Sequence, residues 1–472
     1  MTESILNPVT IAKFDAKKLT DKQRAYFNSG KTLSVDFRLE QLKKLRQLIV
    51  DNETRILDAL HKDLKKNHTE GYVTEVGFTL AELDHTIKGI KKWAKPKKVG
   101  TAMFHAVATS YIYSDPYGVV LIVGPWNYPF QLTIAPLIGA MAAGNCSIVK
   151  PSEIAGHTGK LVVELLNENF DEGYIKAIFG GVEESKALLD EKFDYIFFTG
   201  GTGIGKIFYQ AAAKHLTPVT LELGGKSPCI VDKKIQLEYS SKRITWGKWT
   251  NAGQTCVAPD YLLVHKESKA KLIDKMKKHL KDFYGEDAQQ SPDYGRIINH
   301  NHFKRLEKLL EKGNILVGGT VDEDDLYIAP TIIDNVSLED PVMQDEIFGP
   351  ILPIIEYSNT SEILELVNNH FGKPLALYVF SEDGDFVEEI LTKTSSGGGC
   401  VNDTLMHLGN GNLPFGGVGD SGIGAYHGEY SFDTFSHKKS ILKKSTLIDL
   451  AIRYAPFKNN LPILKNLMKY LG

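Results

Sequence analysis

The sequence is poor in cysteine, and this scarcity excludes two kinds of structural centre. Its 472 residues include four cysteines, at positions 146, 229, 256 and 400. They form no Cys-x-x-Cys pair and no regular spacing, which argues against a disulfide framework and a structural zinc site. The His-Glu-x-x-His motif is absent as well, so we expect no metal site. Few, unpaired cysteines suit a reducing compartment, and we expect a cytoplasmic protein.

Long apolar runs and a strong net charge are also missing. The chain opens without a charged segment followed by an apolar one, and runs such as Val119–Val123 are far too short to span a bilayer. The formal net charge is only -3, which provides no overall field to attract nucleic acid. We therefore expect neither secretion, membrane spanning nor nucleic-acid binding.

What is present is the composition of an ordinary globular protein. Hydrophobic residues make up 42% of the chain and charged residues 24%, which excludes disordered and fibrous classes. A chain of this length exceeds one compact core, so about two or three domains are expected.

The first half alternates strands and helices. Leucine and isoleucine recur every three or four positions between residues 37 and 64, as in amphipathic helices. Further on, apolar runs at 118–124 and 147–150 predict buried strands, and a helix of small residues separates them. The pattern continues through a short strand near 177–179 to a strand at 195–198. Strand, helix and strand at this spacing indicate a parallel, doubly wound dinucleotide-binding sheet.

The second half begins a similar pattern again. A strand is predicted at 261–264 and a lysine-rich amphipathic helix at 269–284, with further alternation up to residue 391. We expect a second α/β domain there. The basic tail from residue 441 to 472 ends in a short helix with an apolar stripe. Packing against a partner subunit is the favoured interpretation of this stripe, and contact with a membrane surface is the alternative.

A glycine-rich segment at 198–205 follows a strand and opens a helix, where backbone N–H groups can hold a phosphate. It is not the Gly-x-Gly-x-x-Gly motif. It nearly matches a nucleotide-hydrolysing P-loop, but Ile207 stands where a hydroxyl would bind magnesium. Alone, this segment is weak evidence for a dinucleotide.

Two residues stand out for their chemistry. Cys256 lies among small, polar and turn-forming residues, whereas structural cysteines usually sit in apolar runs. Glu222 lies between leucines and before two glycines, where partial burial would raise the pKa of its carboxyl towards that of a general base. From the residues alone, a nucleophilic and a structural role for Cys256 are about equally supported, because a lone cysteine needs an activating environment.

Taken together, the motifs resemble those of the aldehyde dehydrogenase superfamily. In chain order they are PWNYP at 125–129, KPSE at 150–153, FTGGTGIG at 198–205, LELGG at 221–225, GQTC at 253–256, EIFGP at 346–350 and NLPFGG at 412–417. The sequence APDY at 258–261, with YHG at 426–428 and SFDTF at 431–435, is similar to the class 3 and fatty aldehyde dehydrogenase branch. Chance occurrence of so many motifs in order is negligible.

The resemblance implies a catalytic set. Cys256 would attack the aldehyde carbon, and the Asn127 side-chain amide, with the Cys256 backbone N–H, would stabilise the oxyanion. Loss of hydride to the cofactor would leave a thioester, and Glu222 would activate the water that hydrolyses it. An acylating dehydrogenase, which passes the thioester to coenzyme A, is the main alternative. Glu222 argues against it, and the three residues together argue against a protein that only binds nucleotide.

The resemblance also implies a cofactor site. Lys150 and Glu153 would bind the adenosine ribose, and Gly200, Gly201 and Gly205 would admit the pyrophosphate. Glu346 and Phe348 would position the nicotinamide ribose and ring, the Leu223 carbonyl would accept from the carboxamide, and Trp126 is a further cofactor-binding position. A carboxylate at Glu153 favours NAD, although the class 3 branch also uses NADP.

The implied architecture has three parts, and the branch forms homodimers. A nucleotide-binding domain would cover 1–98 and 117–220, a catalytic α/β domain 221–418, and a small β oligomerisation arm with the tail 99–116 and 419–472. We expect the substrate to be a medium- or long-chain aliphatic or an aromatic aldehyde. Tyr128, Trp246 and the loop at 410–412 are candidates for an apolar tunnel.

Overall fold

The computed structural model describes residues 14–102, 105, 107–449, 454–457 and 460–471. The first 13 residues of the predicted nucleotide-binding domain, and the gaps in the predicted arm and tail, lie outside the described residues. The helices of the described part are α1 (Ala16–Asn28), α2 (Val35–Asp51), α3 (Glu53–Leu64), α4 (His68–Gly71), α5 (Gly77–Trp93), α6 (Gln131–Ala143), α7 (Gly156–Asn169), α8 (Val182–Leu189), α9 (Thr202–Lys214), α10 (Leu237–Trp249), α11 (Lys266–Tyr284), α12 (His300–Glu307), α13 (Pro341–Gln344), α14 (Thr360–Asn369), α15 (Gly384–Lys393), α16 (Glu429–Thr434) and α17 (Leu461–Leu471). A π-helical turn, Tyr72–Val76, joins α4 to α5.

The strands fall into three main sheets and one short hairpin. They are β1 (Lys97–Val99), β2 (Ala108–Pro116), β3 (Val119–Val123), β4 (Cys146–Lys150), β5 (Ile175–Ala177), β6 (Tyr195–Thr199), β7 (Val219–Glu222), β8 (Pro228–Val231), β9 (Tyr261–His265), β10 (Asn314–Val317), β11 (Val321–Asp322), β12 (Tyr327–Ile328), β13 (Thr331–Asp334), β14 (Ile351–Tyr357), β15 (Ala376–Phe380), β16 (Gly398–Val401), β17 (Gly422–Ile423) and β18 (Ser436–Lys444).

The first sheet has the strand order β17-β7-β6-β3-β4-β5 and is parallel from β7 to β5. Strands β3, β4 and β6 are buried along their whole length, as expected where helices cover both faces. From β3 the chain adds strands on one side and then returns to place β6 on the other. This reversal leaves a crevice at the carboxyl ends of β3 and β6, where α/β sheets bind ligands.

The second sheet has the order β10-β13-β14-β9-β8-β15-β16 and is parallel except for β10. The third is antiparallel, and its β2 and β18 pair from Ala108 opposite Lys444 to Pro116 opposite Ser436. The predicted fold class, two α/β units with a small β arm, is therefore confirmed. Buried apolar residues form one cluster that runs through both large sheets. No helix in the described ranges is long and apolar enough to cross a bilayer.

The detailed boundaries depart from the sequence expectation in three places. The predicted limit between residues 220 and 221 falls inside β7, and β17, from the segment assigned to the arm, pairs with β7 instead. The strand expected near 177–179 is β5, which begins at Ile175. Apolar runs indicate where a strand lies, but they do not specify which sheet a strand of two residues joins.

Candidate active site

A cleft of about 980 Å³ lies over the carboxyl ends of the nucleotide-domain strands and is closed by residues of the second domain. The structure brings nearly all of the predicted site residues to its wall. Those that line it are Trp126, Asn127, Lys150, Glu153, Gly200, Gly201, Glu222, Leu223, Cys256, Glu346 and Phe348. Positions far apart in the chain thus share one cavity, as expected of a binding or catalytic site.

Gly205 is the exception, because it is buried below the cleft and does not line it. A Cβ atom at this position would lie 2.6 Å from Cδ2 of Leu223. The glycine therefore allows α9 to pack closely on the strand end, and direct contact with a phosphate, as predicted, has no support in this geometry.

The Cys256 loop, residues 251–255, precedes Cys256 and has an unusual backbone. Asn251, Ala252 and Gly253 have φ angles of 53°, 50° and 75°, in the left-handed region. A Cβ atom on Gly253 would lie 2.2 Å from the carbonyl oxygen of Gly349. Successive left-handed residues are strained, and such strain persists where surrounding contacts impose it.

Those contacts come mainly from Gln254, whose side chain is completely buried. Its Nε2 donates to the carbonyl oxygens of Asn251 and Arg296 at 3.1 and 2.9 Å, and its Oε1 accepts from the Ile298 N–H at 3.0 Å. The glutamine of the GQTC motif therefore fixes the loop that presents Cys256.

The Cys256 side chain faces the cleft in a largely apolar setting. Burial raises the pKa of its thiol, and the neighbouring carboxyls of Glu346 and Glu222 raise it further. The N–H groups of Cys256 and Val257 act in the opposite direction. The thiol is therefore neutral at rest, and its reactivity as a nucleophile depends on a change in this environment.

Asn127 follows β3 and forms two hydrogen bonds with the Cys256 loop. Its Nδ2 donates to the Gln254 carbonyl at 3.1 Å, and its own carbonyl accepts from Asn251 Nδ2 at 2.9 Å. The residue is only 3% exposed. Because an amide nitrogen carries two hydrogens, one remains to donate into the cleft beside Cys256.

Glu222 ends β7, in register with Thr199 on one side and Gly422 on the other. Its side chain is 2% exposed, and neither carboxyl oxygen has a hydrogen-bond partner within the described structure. Burial raises the pKa of this carboxyl well above its ordinary value. An orphaned acid in a cleft is uncommon in a structural role and marks a candidate functional group.

The adenosine end of the cleft combines charge with open backbone. Lys150, at the end of β4, donates from Nζ to Glu153 Oε2 at 3.1 Å. Gly201 caps the N-terminus of α9, and Cβ atoms at Gly201 and Gly203 would meet no neighbour within 4 Å. Free N–H groups of a helix start, facing open space, fit the pyrophosphate of a dinucleotide.

The nicotinamide end is built around Glu346 and Phe348. Trp126 and Phe348 pack edge to face at 5.2 Å, and Phe348 is held at a φ of 50°. Burial, aided by the charge of Asp260, raises the pKa of Glu346 to about 8. A Cβ on Gly224 would lie 2.1 Å from Glu346 Oε2, so only glycine permits this approach. These residues fit the ribose and ring of the cofactor.

Sequence reasoning missed a buried ion pair that supports this end. Lys226 Nζ contacts Asp260 Oδ2 at 2.5 Å and donates to the Val342 and Asp345 carbonyls at 3.0 and 2.9 Å. Asp260 Oδ1 accepts from the Ile347 N–H at 2.8 Å. The pair therefore fixes the segment before and after Glu346. Lys226 follows the LELGG motif and Asp260 lies within APDY, and these motifs were the only sign of the pair in the sequence.

Metal ligands are the remaining possibility for such a cleft. In the part of the chain that the structure describes, no group of three or more histidine, cysteine, aspartate or glutamate residues could hold a metal ion.

Comparison with known proteins decides the family. The model of the aldehyde dehydrogenase family matches residues 2–441. The chain belongs to the aldehyde dehydrogenase family. It is 50% identical to the 4,4'-diaponeurosporen-aldehyde dehydrogenase of Staphylococcus aureus, covering 94% of this chain and 97% of that protein. The dimeric NADP-preferring aldehyde dehydrogenase of Rattus norvegicus is also 50% identical, with 93% and 98% covered.

Two further comparisons define the branch and the fold. Aldehyde dehydrogenase family 3 member A2 of Rattus norvegicus is 48% identical, covering 91% of this chain and 88% of that protein. A solved, substrate-bound structure of Staphylococcus aureus AldH superimposes with a TM-score of 0.94 at 49% identity, covering 96% and 99% of the two chains. The predicted branch is confirmed, and this aldehyde dehydrogenase is an oxidoreductase that uses NAD or NADP.

Proposed function

We propose that this enzyme oxidises an aldehyde to a carboxylic acid through a thioester on Cys256, which water hydrolyses with Glu222 as general base. One observation carries the proposal. The partnerless, buried carboxyl of Glu222 opens into the same cleft as Cys256 and the Asn127 amide. An acid placed there without a structural partner has a clear use as a proton acceptor.

The chain's own residues account for each step around the acyl group. The Cys256 thiol loses its proton to solvent as its sulfur attacks the carbonyl carbon, and the Asn127 amide and Cys256 N–H stabilise the negative oxygen of the hemithioacetal. Bound NAD(P) supplies the oxidant, because its nicotinamide ring accepts a hydride. The resulting thioester is then attacked by water, whose proton passes to Glu222. The carbon–sulfur bond breaks, Glu222 passes this proton to the departing sulfur, and the free acid leaves.

Hydrolysis is favoured over transfer to coenzyme A by the state of Glu222. A thiol acceptor needs no strong base to attack a thioester, whereas water does. Burial raises the pKa of Glu222 well above its ordinary value, which makes its ionised form a stronger base than an exposed carboxylate. The orphaned carboxyl therefore supports an aldehyde dehydrogenase that releases a free acid.

The substrate side of the cleft supports an apolar aldehyde. Tyr426 is close enough to Glu222 and Cys256 for their charges, after burial, to raise the pKa of its phenol. Its ring packs against Phe415 at 5.7 Å, and the Tyr128 ring is 8% exposed. These rings do not line the cleft itself, but they give its Cys256 end an aromatic setting that suits aliphatic and aromatic chains. A relative acts on an aldehyde named for diaponeurosporene, and we propose medium- or long-chain aliphatic or aromatic aldehydes here.

We also propose a cytoplasmic homodimer. Strands β16 and β18 are each the outer strand of a sheet, and each has one edge that is unpaired within the described residues. The edge of β18 is nine residues long, and an unpaired edge of this length favours pairing with another chain. A relative is named as dimeric. Leu461 and Met468 of α17 are 62% and 71% exposed, and we favour partner packing over membrane contact for them. Sedimentation of a chain truncated at the tail, with and without vesicles, distinguishes the two.

The proposed mechanism is tested by two substitutions and one control. Cys256→Ala should abolish NAD(P)H formation from an aldehyde while cofactor binding persists. Glu222→Gln should give one burst of NAD(P)H per site and then slow turnover. Cys400→Ala, which removes another partly exposed thiol, should leave both phases intact. Normal turnover by Cys256→Ala, or a steady state unchanged by Glu222→Gln, refutes the corresponding role.

A further inference from the structure

Lys66 and Glu75 form a buried ion pair beneath the cleft, and the reaction described above does not use either residue. Lys66 lies between α3 and α4, and Glu75 lies in the π-helical turn before α5. Their side chains are 1% and 0% exposed, and Lys66 Nζ is 2.6 Å from Glu75 Oε1. Well-packed apolar residues can often replace a buried pair without loss of stability. Stability alone therefore does not account for this pair.

The ammonium group of Lys66 contacts the segment that carries Asn127. Its Nζ is 3.5 Å from the carbonyl oxygen of Asn127 and 4.2 Å from the centre of the Tyr128 ring. The Tyr128 hydroxyl in turn hydrogen-bonds to Thr255 Oγ1 at 2.7 Å. Thr255 immediately precedes Cys256. The Lys66 ammonium thus contacts the Asn127 peptide directly and the Cys256 loop through the Tyr128 side chain.

The carboxylate of Glu75 contacts the same segment from its other end. Oε2 accepts from the N–H groups of Phe130 and Gln131 at 2.9 and 3.3 Å. These are among the first amides of α6, which have no partner within the helix. A negative charge at a helix N-terminus is also favourable. The pair therefore holds both ends of the segment from Asn127 to Gln131.

Glu70 adds a contact from the same N-terminal segment to the Cys256 loop. Its Oε1 accepts from the Asn251 N–H at 2.8 Å, and the Asn251 side chain donates to the Asn127 carbonyl at 2.9 Å. The Asn127 carbonyl thus receives donors from both sides. The π-helical turn sits among these contacts, and such turns are frequent at functional sites.

We infer that the Lys66–Glu75 pair is a positioning pair for the reaction. It fixes the Asn127 peptide so that the Asn127 side-chain amide and the Cys256 N–H both donate to the oxygen of the aldehyde. Neither residue touches the reacting atoms, and the inference rests on the proposed role of Asn127. Both charges act through main-chain atoms of 127–131. Small displacements of an oxyanion donor reduce the rate steeply, which gives the pair a use beyond stability.

The test replaces both charges at once. Lys66→Met with Glu75→Gln keeps the side-chain volumes and leaves neither member of the pair as a lone buried charge, and Glu70 loses an attractive and a repulsive neighbour together, so the enzyme should fold. Single-turnover hydride transfer should slow by about tenfold or more, with the midpoint of thermal unfolding and the Kd for NAD(P) unchanged. Glu75→Asp, which keeps both charges but withdraws the carboxylate from Phe130, is a second variant and should slow the same step.

A double-mutant cycle separates positioning from general stability. In an Asn127→Ala background, the paired substitution should slow hydride transfer by less than about threefold. The control is the partly exposed pair Arg46–Asp84 on α2 and α5, where Arg46→Met with Asp84→Asn should change nothing. Equal slowing in both backgrounds, or a normal rate for the paired substitution, overturns the inference. A normal rate for Asn127→Ala alone would instead refute the oxyanion assignment on which it rests.

Discussion

Replacing Asn127 with alanine tests the centre of the proposed site and has an effect that can be worked out in advance. One oxyanion donor contributes about 3–4 kcal/mol to transition-state stabilisation, which corresponds to roughly 10²–10³ in rate. The amide also donates to Gln254 at 3.1 Å, so its removal costs the folded state as well. The Gln254 carbonyl keeps the Asn251 donor at 3.1 Å, and the loss of stability should therefore be about 1 kcal/mol.

The assay must separate these two effects. Rapid mixing of the enzyme–NAD(P) complex with a saturating aldehyde gives the rate of hydride transfer in one turnover. We expect a fall of about 10²–10³ with the Kd for NAD(P) unchanged and a small shift in the midpoint of thermal unfolding. Asn127→Ser is the companion, because it retains a shorter donor and should recover part of the rate. A fall of less than about tenfold would refute the assignment of Asn127 to the oxyanion.

Four further outcomes follow from the geometry. Burial raises the pKa of Glu222 above 4.5, so as a base it gains its active, ionised form as pH rises, and hydrolysis-limited turnover should increase with pH. A pH-independent wild-type rate would contradict this. The same shift means that wild-type stability declines as pH rises above 4.5, whereas Glu222→Gln should lack this decline in chemical denaturation. Gly253→Ala, at a φ of 75° and against a backbone oxygen, should cost more than about 1 kcal/mol and reduce activity, and unchanged melting would exclude strain there. Glu153→Gln should raise kcat/KM for NADP relative to NAD, because it removes a negative charge near the site of the 2'-phosphate. An unchanged ratio of the two kcat/KM values would show that Glu153 does not determine the choice of cofactor.

The sequence allowed the fold and most of the cleft to be predicted for a physical reason. Strands buried on both faces, such as β3 and β6, must be continuous apolar runs, and phosphate sites need open glycine backbone such as Gly201. Buried ion pairs such as Lys66–Glu75 leave no such pattern in the sequence. Lys66 lies in a polar connection after α3 and Glu75 in a short helical turn, where a charged residue is usually exposed.

The buried acids also explain how one site can acylate and then hydrolyse. Glu222 and Cys256 lie close enough that the charge of one raises the pKa of the other, so the pair does not readily hold two negative charges. In the proposed thioester the sulfur is bonded to the acyl carbon and cannot ionise. At rest the thiol is neutral and places no charge beside Glu222. The proposed mechanism therefore ionises one group at a time: the sulfur during its attack on the aldehyde, and Glu222 once the sulfur is bonded to the acyl carbon.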